Sequence, residues 1–351
     1  MPPAAPTPPA DAVDRFVAAV PKVELHLHFV GSAAPATVLE LARRSPELGV
    51  PTEVDVLREF YEFRDFAHFL AVYAAVNSLV RTTEDILTLV DGLTGDLLAQ
   101  NVRYAEVTVT PWPHVENGIP YPDVVEGLDE GRRRAALRGL ELAWCFDIAA
   151  HLEPDLGAAT ARWAIERPPE GLVSLGLAGA EVGIDRRAFA AVFDQAIAAG
   201  LHSVPHAGEA EGGAPSVWAA VESLRAERIG HGIRSVDDPA LVAHLADRQI
   251  PLEVCPVSNV RTRVVPDLAS HPLPELIRHG VTVCINTDDP PMFATDLGHE
   301  YRSIAAAFDL GVDDLAELVA NGVRVSFLAK AAKATLLAEI EACRLEAAAT
   351  E

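Results

Sequence analysis

His26 and His28 stand two apart in the segment KVELHLH. On a β-strand, residues two apart share one face, so both imidazoles can converge on a single ion about 2 Å from each ring nitrogen. Taken alone, the pair reads equally well as two histidines satisfied by backbone carbonyls. Three more residues shift the balance: His206 in HSVPHAGE, His231 in RIGHG and Asp288 in VCINTDDP each fall at the C-terminal end of an apolar run. Three imidazoles and one carboxylate around an open position suit a catalytic zinc rather than a closed structural site, because such a set makes a bound water acidic. His26, His28, His206 and Asp288 are therefore read as the ligands of one zinc ion per chain.

Glu209 lies three residues after His206, with the reach to move a proton without binding the metal. Its plain alternative is an acid at a helix N-terminus. His231 is read as the group that holds and orients the attacking hydroxide, with a protonated imidazole stabilising negative charge on oxygen; the alternative is a fifth ligand. Asp289 follows a ligand directly, so on a continuing strand its side chain points away from that of Asp288. It either contacts substrate or caps the turn before Pro290 and Pro291. The other eight histidines (His68, His114, His151, His202, His244, His271, His279 and His299) fall on helices, loops or the wrong strand phase and are given surface or core places.

Residues so distant in sequence need a scaffold that gathers strand ends. Eight strand-like runs alternate with helical patterns: Lys22 to His28, Val102 to Thr108, Leu140 to Ile148, Leu172 to Leu177, Leu201 to His206, Arg228 to His231, Ile250 to Cys255 and Val281 to Thr287. The pattern predicts a parallel (β/α)8 TIM barrel, whose active sites lie at the C-terminal strand ends. Roughly 70 residues separate the first two strands, so extra helices are expected there and again at the C-terminus. In that insertion Phe60, Phe63, Phe66, Phe69 and Tyr73 recur at spacings of three and four. The stripe is either the buried face of one amphipathic helix or a lid whose aromatic face covers a planar ligand. The Pro/Ala-rich residues 1–10 read as a disordered lead-in and residues 11–349 as one domain.

With 28 Lys+Arg against 51 Asp+Glu the 351-residue chain carries a formal charge of −23, which argues against a nucleic-acid partner. No apolar run is long enough to cross a bilayer, and the first residues lack a signal peptide's basic region and apolar core, so no membrane partner and a cytoplasmic location are expected. The four cysteines form no CxxC pair, which fits reduced thiols. Phosphate loops of the GxGxxG and GxxxxGK[ST] types are absent, as are HExxH and the PCxxC half of the cytidine-deaminase signature. Oligomeric state is not legible.

From PKVELHLH through LAGAE, HAGE, IGHG and CPVSN to NTDDP, the chain resembles the adenosine and AMP deaminase family of metal-dependent hydrolases over about residues 20 to 330. The resemblance implies a zinc barrel that deaminates an aminopurine nucleoside at C6. It also implies that Glu209 protonates N1, His231 positions the hydroxide, the Gly179 N–H donates to N3 and Asp289 partners N7. Since N7 only accepts, Asp289 has to be protonated or share a proton.

One departure stands out. After the HxH pair the family usually has Leu, an acidic residue and Gly, whereas this chain has Phe29, Val30 and Gly31. A free ribose 5′-hydroxyl buried against Val30 lacks a partner, at roughly 1 to 3 kcal/mol. HFVGSAAP resembles the subgroup that deaminates aminodeoxyfutalosine, a 5′-modified adenosine of menaquinone synthesis. Val30, Phe66 and Phe69 are then expected to line an apolar 5′ pocket, with Arg64, Arg234, Arg261 or Arg263 near the benzoate that this substrate carries at its 5′ end. The rivals are an ordinary adenosine deaminase of purine salvage, with Ser32 or a water replacing the acid, and an inactive barrel that only binds.

Overall fold

A computed structural model describes residues 10–151, 154–210 and 212–349. Nine parallel strands occur among them: β1 (Lys22–His28), β2 (Val102–Val109), β3 (Glu141–Ala149), β4 (Leu172–Ala178), β5 (His202–Ser203), β6 (His206–Ala207), β7 (Ile229–His231), β8 (Leu252–Val254) and β9 (Val283–Ile285). They form two runs in chain order, β1 to β5 and β6 to β9. β5 and β6 are the single fifth strand expected from the sequence, interrupted at Val204 and Pro205. Proline has no N–H to give the ladder, which breaks where Pro205 stands. The Val204 N–H still bonds Leu175, and Gly230 donates to the Pro205 carbonyl, so the wall continues across the break.

On the far side the first and last strands are drawn together by a backbone bridge. Asp288 donates to the His26 carbonyl and accepts from the His28 N–H, each at 2.9 Å, forming a parallel bridge between Leu27 and Asp288. Asn286 reinforces it, its Oδ1 accepting from the Leu25 N–H at 2.9 Å. The eight-fold βα order expected from the sequence is thus present. The lead-in, Ala10 aside, lies outside the described residues.

Alternation sets the faces of β1. Val23, Leu25 and Leu27 are buried in the apolar core, while Glu24 and His26 fall on the opposite phase, also buried. That interior is charged. Arg228 donates from Nε to Glu253 Oε1 at 2.6 Å and from Nη1 to the Val325 carbonyl at 2.8 Å, and its other nitrogen pairs with Glu106. Its guanidinium also stacks 4.0 Å over the Phe327 ring. Buried ions are tolerated only when fully partnered, and each of these is. Glu253 carries the chain upward, its Oε2 lying 3.2 Å from His26 Nδ1.

The long β1–β2 connection forms four α-helices, Pro35–Arg44, Val54–Phe60, Phe66–Asn77 and Thr83–Ala99. The aromatic stripe is not one helix. Asp65 accepts from the His68 N–H and caps a new helix at Phe66, leaving Phe60 on the preceding helix and Phe63 between them. Phe63 packs edge-on against Phe69 and Phe293. At the C-terminus, helices Leu297–Phe308, Val312–Val325 and Lys330–Ala349 follow, the second packing on β1 and β9. Among the described residues no helix is long and apolar enough to cross a membrane.

Candidate active site

The strand ends bring the predicted ligands together. His28 Nε2 and His206 Nε2 face each other at 3.1 Å, and Asp288 Oδ1 lies 3.2 Å from His28 Nε2 and 3.6 Å from His26 Nε2. His26 Nε2 is buried with no hydrogen-bond partner, while its other nitrogen is engaged by Glu253. Such a carboxylate–imidazole contact fixes which nitrogen is presented to a metal. Burial pulls the His26 imidazole down, yet the nearby carboxylates of Asp288 and Glu253 outweigh it and hold the ring up to about 10. Burial lowers His28 to about 4 and pushes His206 well down. Three imidazoles converging with a carboxylate at a point that favours positive charge form a donor set that fits a metal ion. Gly230 makes room for it, since a Cβ there would stand 2.8 Å from His26 Cε1 and 3.0 Å from His206 Cγ.

His231 is oriented by a chain invisible to sequence spacing. The Leu273 N–H donates to His271 Nδ1 at 3.1 Å, so the His271 proton is on Nε2, where it is given to Asn259 Oδ1 at 3.0 Å. The Asn259 amide nitrogen then faces His231 Nδ1 at 3.3 Å and donates to it. His231 is left with its proton on Nε2, 3.7 Å from Glu209 Oε1 and 3.9 Å from Asp288 Oδ2. Burial and the neighbouring His26 hold its pKa down to about 3. The protonated imidazole expected from the sequence is therefore corrected to a neutral ring that donates one hydrogen bond. Ser258, on the same short helix as Asn259, donates to Asp288 Oδ2 at 2.6 Å.

Glu209 is buried, and that burial, followed by the charges of Asp288 and Glu181, pushes its carboxyl well above the usual range. Glu181 is a residue that sequence reading missed. Its carboxylate accepts the N–H groups of Gly208, Glu209 and Ala210 at 2.8, 2.9 and 3.1 Å, pinning the HAGE loop. The buried Arg186 guanidinium stands 3.9 Å behind it. Its place in LAGAE was visible, but a role exercised through three backbone groups leaves no side-chain pattern.

Asp289 also departs from expectation. Asp288 has φ +66, so extended geometry ends there and both aspartates face the same cavity. Asp289 Oδ1 is buried without a partner, and burial together with the Asp288 charge raises its carboxyl well above the usual range. Gly31 seats it, since a Cβ at that position would stand 1.5 Å from Asp289 Oδ1.

A cavity of about 410 Å³ opens over this cluster, a size suited to a small molecule. His28, His206, Glu209, His231, Asp288, Asp289 and Gly179 form its floor and sides. Phe66, Phe69, Leu70, Tyr73 and Ala74 supply an apolar wall from the Phe66–Asn77 helix. Val30, expected on that wall, is not among the lining residues. The turn after β1, closed by Ser32 N–H and Oγ bonds to the His28 and Phe29 carbonyls, leaves Val30 in the core at 2% exposure. Ser32 is spent in the same turn and does not line the cavity. The four arginines suggested near a benzoate do not line it either; Arg234, Arg261 and Arg263 bond the carbonyls of Val264, Tyr61 and Phe63.

Comparison with known proteins agrees with this geometry. Residues 21–343 match the family model described as Adenosine deaminase. The chain is 49% identical over 329 residues to aminodeoxyfutalosine deaminase of Streptomyces avermitilis, covering 93% of this chain and 92% of that protein. Among solved structures it is similar to adenine deaminase from Arthrobacter aurescens, with a TM-score of 0.87 and 33% identity over 92% of this chain and 98% of the other. It is also similar to an amidohydrolase from Burkholderia ambifaria with bound Zn, with a TM-score of 0.86 and 28% identity over 96% and 95% of the two chains. With its ligand-type residues gathered at strand ends and the family match spanning all of them, the chain belongs to the adenosine deaminase family.

Proposed function

We propose that this chain, as one barrel domain over residues 11–349, hydrolyses the 6-amino group of an aminopurine nucleoside with one zinc ion, its favoured substrate being a 5′-modified adenosine such as aminodeoxyfutalosine. The observation that carries the reading is a single cavity lined by a metal-type cluster, two neutral buried acids and an apolar wall. His26, His28, His206 and Asp288 would hold the zinc, which when bound supplies Lewis acidity that makes a water reactive near neutral pH.

The chain's own residues account for the rest. Glu209, kept protonated by burial, gives its proton to N1, and C6 becomes electron-poor. His231 donates from Nε2 to the attacking oxygen and fixes its approach. Asp289, kept neutral by burial and then by the charge of Asp288, donates to N7, and the Gly179 N–H meets N3. Of the two protons the attacking water loses, Glu209 passes one to the amino group, which leaves as ammonia, and keeps the other, which restores its acid form.

For the substrate, two observations favour a 5′-substituted nucleoside over adenosine. No carboxylate occupies the turn after β1, and the wall from Phe66 to Ala74 is apolar. The 49% likeness to an aminodeoxyfutalosine deaminase points the same way. The decisive test is ammonia release by the zinc-loaded protein from aminodeoxyfutalosine, 5′-methylthioadenosine, adenosine and adenine. The kcat/KM for the 5′-substituted nucleosides is expected to exceed that for adenosine by about tenfold or more. A preference for adenosine would return the protein to purine salvage.

Gly31 provides a separate check on Asp289. Gly31→Ala should displace the Asp289 carboxyl and raise KM for the nucleoside about tenfold, the cost of one buried hydrogen bond, with zinc content unchanged. An unaltered KM would show that Asp289 does not hold the purine.

A further inference from the structure

Asp147 on β3 takes no part in the chemistry above, yet it is 1% exposed and lines the cavity. The acids buried deeper in the barrel interior have strong partners: Glu106 and Glu253 share Arg228, and Glu24 accepts from the Thr287 N–H and hydroxyl. Asp147 has the Thr110 hydroxyl, which donates to its Oδ1 at 2.5 Å, and among the described residues no Lys or Arg pairs with it. Burial pushes its carboxyl up to about 6, so it is still an ionised acceptor at neutral pH. A buried carboxylate with spare lone pairs is costly unless a ligand supplies donors.

The order of strands around the ring says which part of a nucleoside meets it. On the proposed reading, the purine turns N1 toward Glu209 after β6, N3 toward Gly179 at the end of β4 and N7 toward Asp289 after β9. In an adenine ring N9 lies between the N3 and N7 edges. In the wall, the arc between β4 and β9 is made by β3, β2 and β1, in that order. Thr110 follows β2 directly and Asp147 lies on β3, which pairs with β2 on one side and β4 on the other. The sugar on N9 is therefore delivered to these two residues. A vicinal diol presents two O–H donors side by side, which a carboxylate's two oxygens can accept as a charge-assisted pair.

We propose that Asp147, braced by Thr110, accepts the ribose 2′- and 3′-hydroxyls and so makes the cavity select a ribonucleoside over a deoxynucleoside or a free base. The inference rests on the deaminase reading and deepens it. The test compares 5′-methylthioadenosine with its 2′-deoxy and 3′-deoxy counterparts on the zinc-loaded wild type, Asp147→Asn and Asp147→Ala. Wild type should favour the ribo form by roughly 10- to 100-fold in kcat/KM, the range for a hydrogen bond to a charged group. In Asp147→Ala the ratio should fall to about one and in the isosteric Asp147→Asn to a few-fold. The loss should come mainly through KM for the ribo substrate, with zinc content and melting midpoint held. A ratio kept in both variants, or a wild type indifferent to the hydroxyls, overturns the assignment while leaving the deaminase standing. No ammonia from any nucleoside sinks the deaminase reading and this inference with it.

Discussion

Glu209→Gln is expected to keep its zinc and lose at least about 10²-fold in kcat. The amide can still donate a hydrogen bond to N1 but has no proton to transfer. Glu209 stands apart from the converging nitrogens, its closest ion-pair contact being His231 Nε2 at 3.7 Å, so metal content should be that of the wild type. The variant should fold as stably as the parent near pH 7, because burial already keeps the native carboxyl neutral and glutamine imitates that form. In the wild type the raised pKa has a definite sign: the proton-bearing form works, so kcat falls as pH rises through it, and that alkaline limb should vanish in the variant. Retained zinc with near-normal turnover would overturn the assignment.

Asp288→Ala should lose the metal instead. The carboxylate is the one anion among the four converging groups, 3.2 Å from His28 Nε2 and 3.6 Å from His26 Nε2. Loss of a supporting partner outside a ligand set typically costs 10- to 100-fold in metal affinity, and loss of a ligand should exceed about 100-fold. Because an ion that binds only the folded state stabilises it, zinc at about 100 times its dissociation constant should add roughly 2.7 kcal/mol to the wild type. The same addition should leave Asp288→Ala unmoved. Asp288 has φ +66, a region asparagine enters more readily than alanine, so Asp288→Asn separates lost ligation from backbone strain. Metal analysis after dialysis and melting curves with and without zinc read both. Equal zinc content in Asp288→Ala and wild type would place the ion elsewhere.

Much of this site was legible because its signals are local. HLH shares a strand face, and HAGE, IGHG and NTDDP each end an apolar run, so a barrel order alone brings them together. The 70-residue gap between the first strands demanded helices for the same reason. The parts that were missed depend on distant or backbone contacts. His271 reaches His231 through Asn259, and Glu181 acts on three N–H groups of another loop. Val30 was placed by its position in a motif, but the Ser32-closed turn decides where it points. Two misses had signals that went unused: Pro205 announces a broken ladder, and Asp65 announces a new helix at Phe66.

The backbone bridge between Leu27 and Asp288 bears on how the protein is made. His26 and His28 leave the ribosome early, yet the carboxylate that completes their set is encoded near the other end of the chain. A nascent chain, or one truncated before NTDDP, offers an imidazole pair without its anion and without the hydrogen bonds that hold β1 in register with the last strand. On the proposed reading, ion capture would wait until the first and last strands have met, late in synthesis.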